Sequence, residues 1–193
     1  MAVWGCRLTA LRKLFADLRL DFVLSRKYDE NTMHTHIEPE EVRQAMRAWT
    51  SGVAVVTAAY DHEQHGMTVS SFASISLDPP LLIVALQKTT RTSEFVSQAQ
   101  AFGVTILSMD QEEISERFAG RGDDSKNRLE GIETETLDTG APFIKGGLVY
   151  FDCRLRQTLD AGTSTIFIGE VVSVRQFEGQ PLVYHDRQYV RVS

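Results

Sequence analysis

The sequence contains few of the residues that mark several common classes of protein. It has two cysteines, Cys6 and Cys153, with no CxxC spacing, so neither a disulfide framework nor a zinc site is indicated, and a reducing cytoplasm fits. No apolar run reaches the roughly 18 residues that suggest a membrane-spanning helix. The net charge of −6 argues against a nucleic-acid or anionic-membrane partner, because both require a basic surface.

Familiar catalytic motifs are missing too. There is no GxGxxG after a strand pattern, no GxxxxGK[ST] and no GxSxG, so a Rossmann site, a P-loop and a hydrolase elbow are not supported. The run His62-Glu63-Gln64-His65 lacks the spacing of a helix-borne zinc pair, and we interpret it as a solvated polar turn. With 193 residues, 42% of them hydrophobic, the chain is large enough for one globular domain with a pocket.

The first 32 residues differ from the rest of the chain. Apolar residues recur at helical spacing with arginines and lysines between them, a pattern that predicts a basic amphipathic helix (Leu8, Leu11, Phe15, Leu18 and Phe22). Three interpretations stay open: a helix docked on the domain, a targeting presequence, or sequence translated from a start upstream of Met33. We predict an N-terminal extension, 1–32, followed by one domain, 33–193.

From Glu38 onward, apolar periodicity predicts a mainly β, α+β chain built on successive antiparallel strands. The predicted helices are one of about three turns ending before Gly52, and two more at 91–100 and 110–120. The predicted strands are 53–60, a hairpin arm that follows a turn at 61–66, then 81–87, 101–108, 147–162, 164–177 and 181–192.

Two polar stretches are candidates for a binding site. The segment HGMTVSSFASISLDPP, 65–80, alternates as a strand yet carries hydroxyls, and these face either solvent or a ligand. The stretch from Lys88 to Thr92 opens a helix, where free N–H groups, Arg91 and threonine hydroxyls suit a phosphate. The alternative is that Thr90 or Thr92 caps the helix while Lys88 and Arg91 stay in solvent.

Several blocks together resemble the flavin reductase family of FMN-binding split barrels, from about Val42 to Val192. They are AMRAWTSGVAVVTA, HGMTVSSFASISLDPPLLIVAL, TTRTSEF, FGVTILSMDQEEISERFAG, FIGEVV and YHDRQY. The resemblance implies a six-stranded antiparallel split β-barrel with a few peripheral helices, and a homodimer with flavin at or near the subunit interface. It also implies hydride transfer from NADH or NADPH to FMN or FAD, with reduced flavin released to a two-component monooxygenase.

The resemblance also assigns roles to individual residues. Those of the hydroxyl-rich strand would face the isoalloxazine ring and ribityl chain (Thr68, Val69, Ser70 and Ser71). Those at the helix start would hold the flavin phosphate (Lys88, Thr89, Arg91 and Thr92). His185 would lie at the nicotinamide as the catalytic residue, with Arg187 as an anion or structural contact.

One position departs from the family pattern. Many family members carry a histidine, implicated in nicotinamide binding, where this chain has Ser164 after Gly162-Thr163. A flavin-binding electron carrier or flavin store without NAD(P)H activity therefore stays open as a second hypothesis. An oxidase of the pyridoxamine-phosphate type ranks third, because it would want more basic residues at the phosphate. Glu170 is predicted to be a paired buried acid.

Overall fold

The structure is a computed structural model that describes residues 37–120 and 127–192. The chain divides into two units, 1–42 and 43–193, and the second carries all the strands described below. Of the first unit, the structure describes residues 37–42, and a helix begins there at Pro39. The predicted extension, 1–32, lies outside the described residues.

Three α-helices and twelve strands make up the described chain. The helices are α1 (Pro39–Ala45), α2 (Arg91–Ala99) and α3 (Glu112–Phe118), and a 3₁₀ turn covers Met46–Ala48. The first six strands are β1 (Ser51–Gly52), β2 (Ala54–Tyr60), β3 (Glu63–Val69), β4 (Phe72–Leu77), β5 (Pro80–Gln87) and β6 (Ala101–Ile106). The others are β7 (Thr134–Thr136), β8 (Pro142–Ile144), β9 (Val149–Ala161), β10 (Ser164–Gln176), β11 (Val183–His185) and β12 (Gln188–Val190).

The main sheet is antiparallel and has seven strands in the order β3-β2-β6-β9-β10-β5-β4, one more than the six predicted. Its two edge strands, β3 and β4, follow each other in the chain and are joined by Ser70 and Ser71 alone. In a flat sheet the edges would lie about 29 Å apart, because six gaps of about 4.8 Å separate them. The link from Val69 to Phe72 spans at most about 11 Å. The sheet therefore curls until its edges meet at Ser70-Ser71, which we call the seam.

Two apolar clusters lie on opposite faces of β2. The first draws buried side chains from six strands and from α2, among them Val56, Phe102 and Phe167. The second includes Val55 and, from α3, Phe118. Helix α2 contributes its Phe95 and Val96 to the first cluster, so it is held by apolar burial on the barrel.

Several predicted elements are shorter or divided in the structure. The first helix ends at Ala45 instead of continuing to Gly52, because Ser51 and Gly52 pair with β11 as strand β1. The predicted polar turn 61–66 is confined to Asp61 and His62, both with positive φ, and the chain is already in β3 at Glu63. The predicted arm from His65 onward is divided by the seam into β3 and β4.

The C-terminal region also differs from its prediction. The predicted strand 181–192 is a hairpin, β11 and β12, that turns at Asp186 and Arg187, both in the left-handed region (φ 44° and 64°). In β9 the neighbouring residues Asp152 and Cys153 are both fully buried, so buried and exposed side chains do not alternate there. The Asp152 carboxylate accepts hydrogen bonds from the Thr139 backbone N–H (2.8 Å) and hydroxyl, which makes its burial tolerable.

Candidate functional site

A cavity of about 540 Å³, within the range of small-molecule sites, lies beside the seam. Its walls come from β3, β5, α2, the end of α3 and the start of β10. Among the described residues that line it there are two arginines and a histidine but no Asp or Glu, although the protein is acidic overall. Such a lining favours an anionic ligand. The lining residues are His65, Met67, Thr68, Val69, Ser70, Ser71, Ala85, Gln87, Thr90, Arg91, Thr92, Ala119, Gly120, Arg128 and Ser164.

The predicted hydroxyl residues gather on one wall of this cavity. The Thr68 hydroxyl donates to the Ser115 carbonyl (2.7 Å), and the Ser71 hydroxyl donates to the Ala85 carbonyl (2.6 Å). Because each hydroxyl has a single hydrogen, both side chains face a ligand as hydrogen-bond acceptors. Ser70 also lines two smaller neighbouring cavities, of about 190 Å³ and about 290 Å³, so three hollows converge at the seam.

The start of α2 forms the polar end of the cavity. Thr90 is the N-cap: its oxygen accepts from the Ser93 backbone N–H (3.3 Å), and its hydroxyl donates to the Gln87 carbonyl (2.8 Å). Thr92, two residues after the N-cap, is fully buried. Arg91 pairs with Glu63 (Nη2 to Oε2, 3.1 Å), and its Cζ lies 5.6 Å from the centroid of the Phe95 ring. Thr90 therefore caps the helix, and Arg91 is partly exposed, as the alternative interpretation predicts. Both residues nevertheless line the cavity.

Lys88 and Thr89 do not line the cavity in the described structure. The Lys88 ammonium contacts the Asp160 carboxylate across the β10 strand start (2.6 Å). The hydrogen bond from Lys88 and its positive charge lower the pKa of Asp160. Lys88 would reach a ligand phosphate by exchanging this carboxylate for it.

His185 and Arg187 also lie apart from the cavity lining. His185 ends β11, where its Nδ1 is 2.9 Å from the Thr50 hydroxyl oxygen. Arg187 is exposed in the β11–β12 turn. Thr50 lines the hollow of about 290 Å³ that shares Ser70 with the main cavity. His185 is thus linked through Thr50 to the hollow that Ser70 lines.

A tyrosine pair closes the smallest of the three hollows. Tyr184 and Tyr189 pack edge to face, with centroids 5.2 Å apart. The Tyr189 hydroxyl lies 2.7 Å from the Ser115 hydroxyl and 2.8 Å from a Glu116 carboxylate oxygen, which ties the C-terminal hairpin to α3. Burial raises the pKa of Tyr189 to about 12, so this side chain is neutral at physiological pH.

Two charged or titratable residues of the cavity are not identified by sequence reasoning. His65, predicted to lie in a solvated turn, is buried in β3, with Nδ1 2.8 Å from the Thr92 hydroxyl oxygen. Arg128, which lies outside every predicted helix and strand, donates from Nη1 to the carbonyls of Phe118 (3.0 Å) and Gly66 (3.3 Å). The alternation of His65 with Met67 and Val69 was an available signal for the histidine, whereas Arg128 carried none.

Ser164 begins β10 and Glu170 lies at its middle. Ser164, half-buried, lines the cavity and stands opposite Gln87 of β5 in the strand register. Glu170 forms an ion pair with Arg156 and is 24% exposed, so it is a paired acid, as predicted, but a partly buried one. No group of His, Cys, Asp and Glu in the described part of the chain is arranged to hold a metal ion.

The fold and the site together define a structural class. It is an antiparallel barrel whose sheet edges meet beside a cavity that favours an anionic ligand. The family model described as "Flavin reductase like domain" matches residues 46–193. The FMN reductase (NADH) SmoA of Agrobacterium fabrum is 39% identical over 151 residues, covering 78% of this chain and 84% of that protein. The reductase component of 4-hydroxyphenylacetate 3-monooxygenase of Thermus thermophilus is 38% identical over 154 residues, covering 79% and 96%.

Solved structures agree with these relatives. The flavin reductase PheA2 in its native state superposes with a TM-score of 0.75 at 32% identity, covering 81% of this chain and 99% of that one. The chain belongs to the flavin reductase family, and its fold is the split barrel of that family. In the described residues, no helix has both the length and the apolar character needed to cross a membrane.

Proposed function

We propose that the protein is an NAD(P)H:flavin oxidoreductase, which transfers a hydride from NADH or NADPH to FMN or FAD and supplies the reduced flavin to a monooxygenase. The observation that carries this proposal is the cavity beside the seam, which is lined by hydroxyl side chains, two arginines and a histidine, with no Asp or Glu among its described lining residues. A flavin nucleotide has the matching chemistry: a polar ring edge at one end and a phosphate at the other. Relatives named as FMN reductase (NADH) and NADH-dependent flavin reductase support it.

The phosphate belongs at the start of α2 in this proposal. Arg91 supplies a guanidinium, and the helix start adds its positive dipole end. Thr92 and Thr90 line the same end of the cavity. Lys88 and Thr89 follow β5 directly. In the proposal the Lys88 ammonium leaves the Asp160 carboxylate and contacts the flavin phosphate instead, and Thr89 contacts the phosphate beside it.

The ring belongs at the seam. Thr68 and Ser71 present acceptor oxygens, suited to an N–H group of the ring edge, and Val69 and Met67 give an apolar surface beside them. Bound flavin supplies the hydride-accepting chemistry, and the nicotinamide nucleotide supplies the hydride. The protein's own part is to orient the two rings and to exclude water, which explains why no nucleophile or acid–base pair is needed.

The nicotinamide belongs between the seam and the C-terminal hairpin. His185, held by Thr50, is the catalytic residue of the proposal, and Arg187 in the adjoining turn is an anion contact for the nucleotide. Ser164 lies at the cavity margin, where it offers a hydroxyl. This site would form fully on nucleotide binding, because neither His185 nor Arg187 lines the main cavity.

A flavin carrier without NAD(P)H activity is the second candidate. The observation that favours it is Ser164, which lies on the cavity wall and can provide neither the flat face nor the charge of an imidazole. Both candidates use the same flavin cavity. They differ in whether a nicotinamide binds over the ring.

We further propose that the working unit is a cytoplasmic homodimer formed by residues 33–193, with a flavin-dependent monooxygenase as partner. Exposed apolar side chains on the edge strand β4 support dimerisation, with Leu77 89% and Ile75 47% exposed. Relatives named as reductase components of monooxygenases support the partner. Leu77→Glu is expected to lower the mass measured by light scattering from that of a dimer to that of a monomer, and an unchanged mass would exclude β4 from the interface.

The test of the function is nicotinamide oxidation under air, followed with FMN or FAD present and absent. The reductase predicts flavin-dependent oxidation of NADH or NADPH that continues past one equivalent, because oxygen regenerates the flavin. Tight flavin binding with no oxidation of either nucleotide would favour the carrier. Absence of flavin binding would contradict both candidates.

A further inference from the structure

A buried polar pair joins β3 to α2 at the phosphate end of the cavity. His65 is 3% exposed and Thr92 is fully buried, with His65 Nδ1 2.8 Å from Thr92 Oγ1. Both residues also line the cavity. The His65 ring packs at a tilt against Phe95, with centroids 5.9 Å apart, and the Arg91 guanidinium lies over the same Phe95 ring. The His65 imidazole is therefore in contact with both Thr92 and Phe95, and the Arg91 guanidinium contacts the same Phe95 ring.

The protonation of His65 decides what Thr92 can do. A threonine hydroxyl has one hydrogen, and the neutral imidazole carries its proton on one nitrogen. If Nδ1 lacks the proton, Thr92 must donate to it, and the hydroxyl faces the cavity as an acceptor. If Nδ1 carries the proton, it donates to Thr92 Oγ1, and the hydroxyl hydrogen is available to a ligand. An acceptor oxygen would repel a phosphate, whereas a donor would bind it.

We propose that His65 is a positioning residue for the flavin phosphate: its Nδ1–H donates to Thr92 and thereby turns the Thr92 hydroxyl into a donor toward the phosphate. This inference rests on the proposed function. It adds a hydrogen bond from the Thr92 hydroxyl that a phosphorylated flavin can accept and riboflavin, which has no phosphate, cannot. The cavity supports it, because the pair lies where the lining carries arginines and no described carboxylate.

The inference predicts a loss that is specific to the phosphate. His65→Leu removes the donor to Thr92 while filling the buried space, and FMN affinity is expected to fall about tenfold, the scale of one hydrogen bond to a charged group. Riboflavin affinity is expected to stay within about twofold. His65→Asn places an amide N–H near the position of Nδ1 and is expected to restore most of the FMN affinity. His62→Leu, in the exposed turn of the same hairpin, is the matched control and should leave both ligands unaffected.

The measurement is a fluorescence titration of FMN and of riboflavin with each variant, alongside its melting temperature. If His65→Leu lowers the affinities for FMN and riboflavin by the same factor, or lowers neither, the ratio of the two affinities is unchanged. That result would overturn the inference, and equal losses would indicate a structural role for His65. If His65→Leu does not fold, the comparison moves to Thr92→Val and Thr92→Ser. The serine variant is expected to retain the FMN preference and the valine variant to lose it, and equal affinities of these two variants would overturn the inference.

A double-mutant cycle tests whether His65 acts through Thr92. The combined variant His65→Leu/Thr92→Val is expected to lose no more FMN affinity than Thr92→Val alone, because both changes remove the same donor. Losses that multiply would show that the residues act separately and would overturn the inference. Failure of the proposed function is distinguishable, since it would be an absence of nicotinamide oxidation in the unmodified protein. Oxidation with an unchanged FMN preference in these variants would overturn the inference alone.

Discussion

Arg91→Gln removes one guanidinium charge from the phosphate end of the cavity with little change in size. The side chain is 46% exposed and pairs with Glu63, which is 67% exposed, at 3.1 Å. Pairs this exposed contribute about 0 to 1 kcal/mol to folding stability, and the contact with the Phe95 ring adds about 0.5 to 1 kcal/mol. We therefore expect the free energy of unfolding to fall by about 0.5 to 2 kcal/mol.

The expected effect on ligand binding is larger. A charge-assisted hydrogen bond from Arg91 to the flavin phosphate contributes about 1 to 3 kcal/mol, so the dissociation constant for FMN should rise about 5- to 150-fold. Riboflavin, which has no phosphate, should bind with nearly unchanged affinity. Glu63→Gln removes the carboxylate that competes for Arg91, so it is expected to tighten FMN binding.

The assay is a flavin fluorescence titration at low and at physiological ionic strength, since a charge interaction weakens as salt rises. Lys145→Gln is the matched control: it removes the same charge from another exposed ion pair, with Glu133 at 3.3 Å, and Lys145 does not line the cavity. An FMN affinity of Arg91→Gln equal to that of the control would refute the assignment of Arg91 to the phosphate.

Four further outcomes follow from the structure. Gly169→Ala places a Cβ 2.5 Å from the Phe102 ring, so unfolding in urea should show a loss of about 1 to 3 kcal/mol, whereas Gly52→Ala, with no atom within 4 Å of its Cβ, should lose less than half of that. The raised pKa of Tyr189 stabilises the fold below pH 10 and this contribution is lost as the pH rises toward 12; Tyr189→Phe should reduce that alkaline loss of stability. Lys88→Met should raise the pKa of Asp160 toward 3.8, as measured by NMR titration, because the hydrogen bond that lowers it is removed. A chain starting at Met33 should keep its flavin affinity and nicotinamide oxidation; loss of either would place the 1–32 extension in the function.

Much of the fold could be predicted from local patterns. The helices α2 and α3 and the strands β2, β5, β6, β9 and β10 lie close to their predicted positions, because each carries a clear apolar period and an end signal. The errors occur where pairing partners decide the conformation. Ser51, predicted to be helical, pairs with β11 instead. Residues 183–190 form a hairpin whose turn has two non-glycine residues with positive φ, and no turn motif in the sequence predicts it.

The site shows the same division between local and long-range information. The hydroxyl wall and the start of α2 could be predicted as separate polar stretches, and the structure brings most of both to one cavity. The local sequence predicts a turn at His65, because the partner that its ring contacts in the structure, Thr92, lies 27 positions further along the chain. Arg128 lies where two backbone carbonyls from distant segments meet, a contact that its neighbours in the sequence do not encode.

The central claim is that this protein catalyses hydride transfer from a nicotinamide to a flavin bound at the seam. The most direct test is anaerobic mixing of the FMN-loaded protein with one equivalent of NADH or NADPH, deuterated or not at the transferred position, while the flavin absorbance is followed. We expect the flavin to bleach far faster than in a protein-free mixture and more slowly with the deuterated nucleotide when hydride transfer limits the rate. One equivalent of nicotinamide should be oxidised per flavin. Tight FMN binding with bleaching no faster than in the protein-free mixture would contradict it.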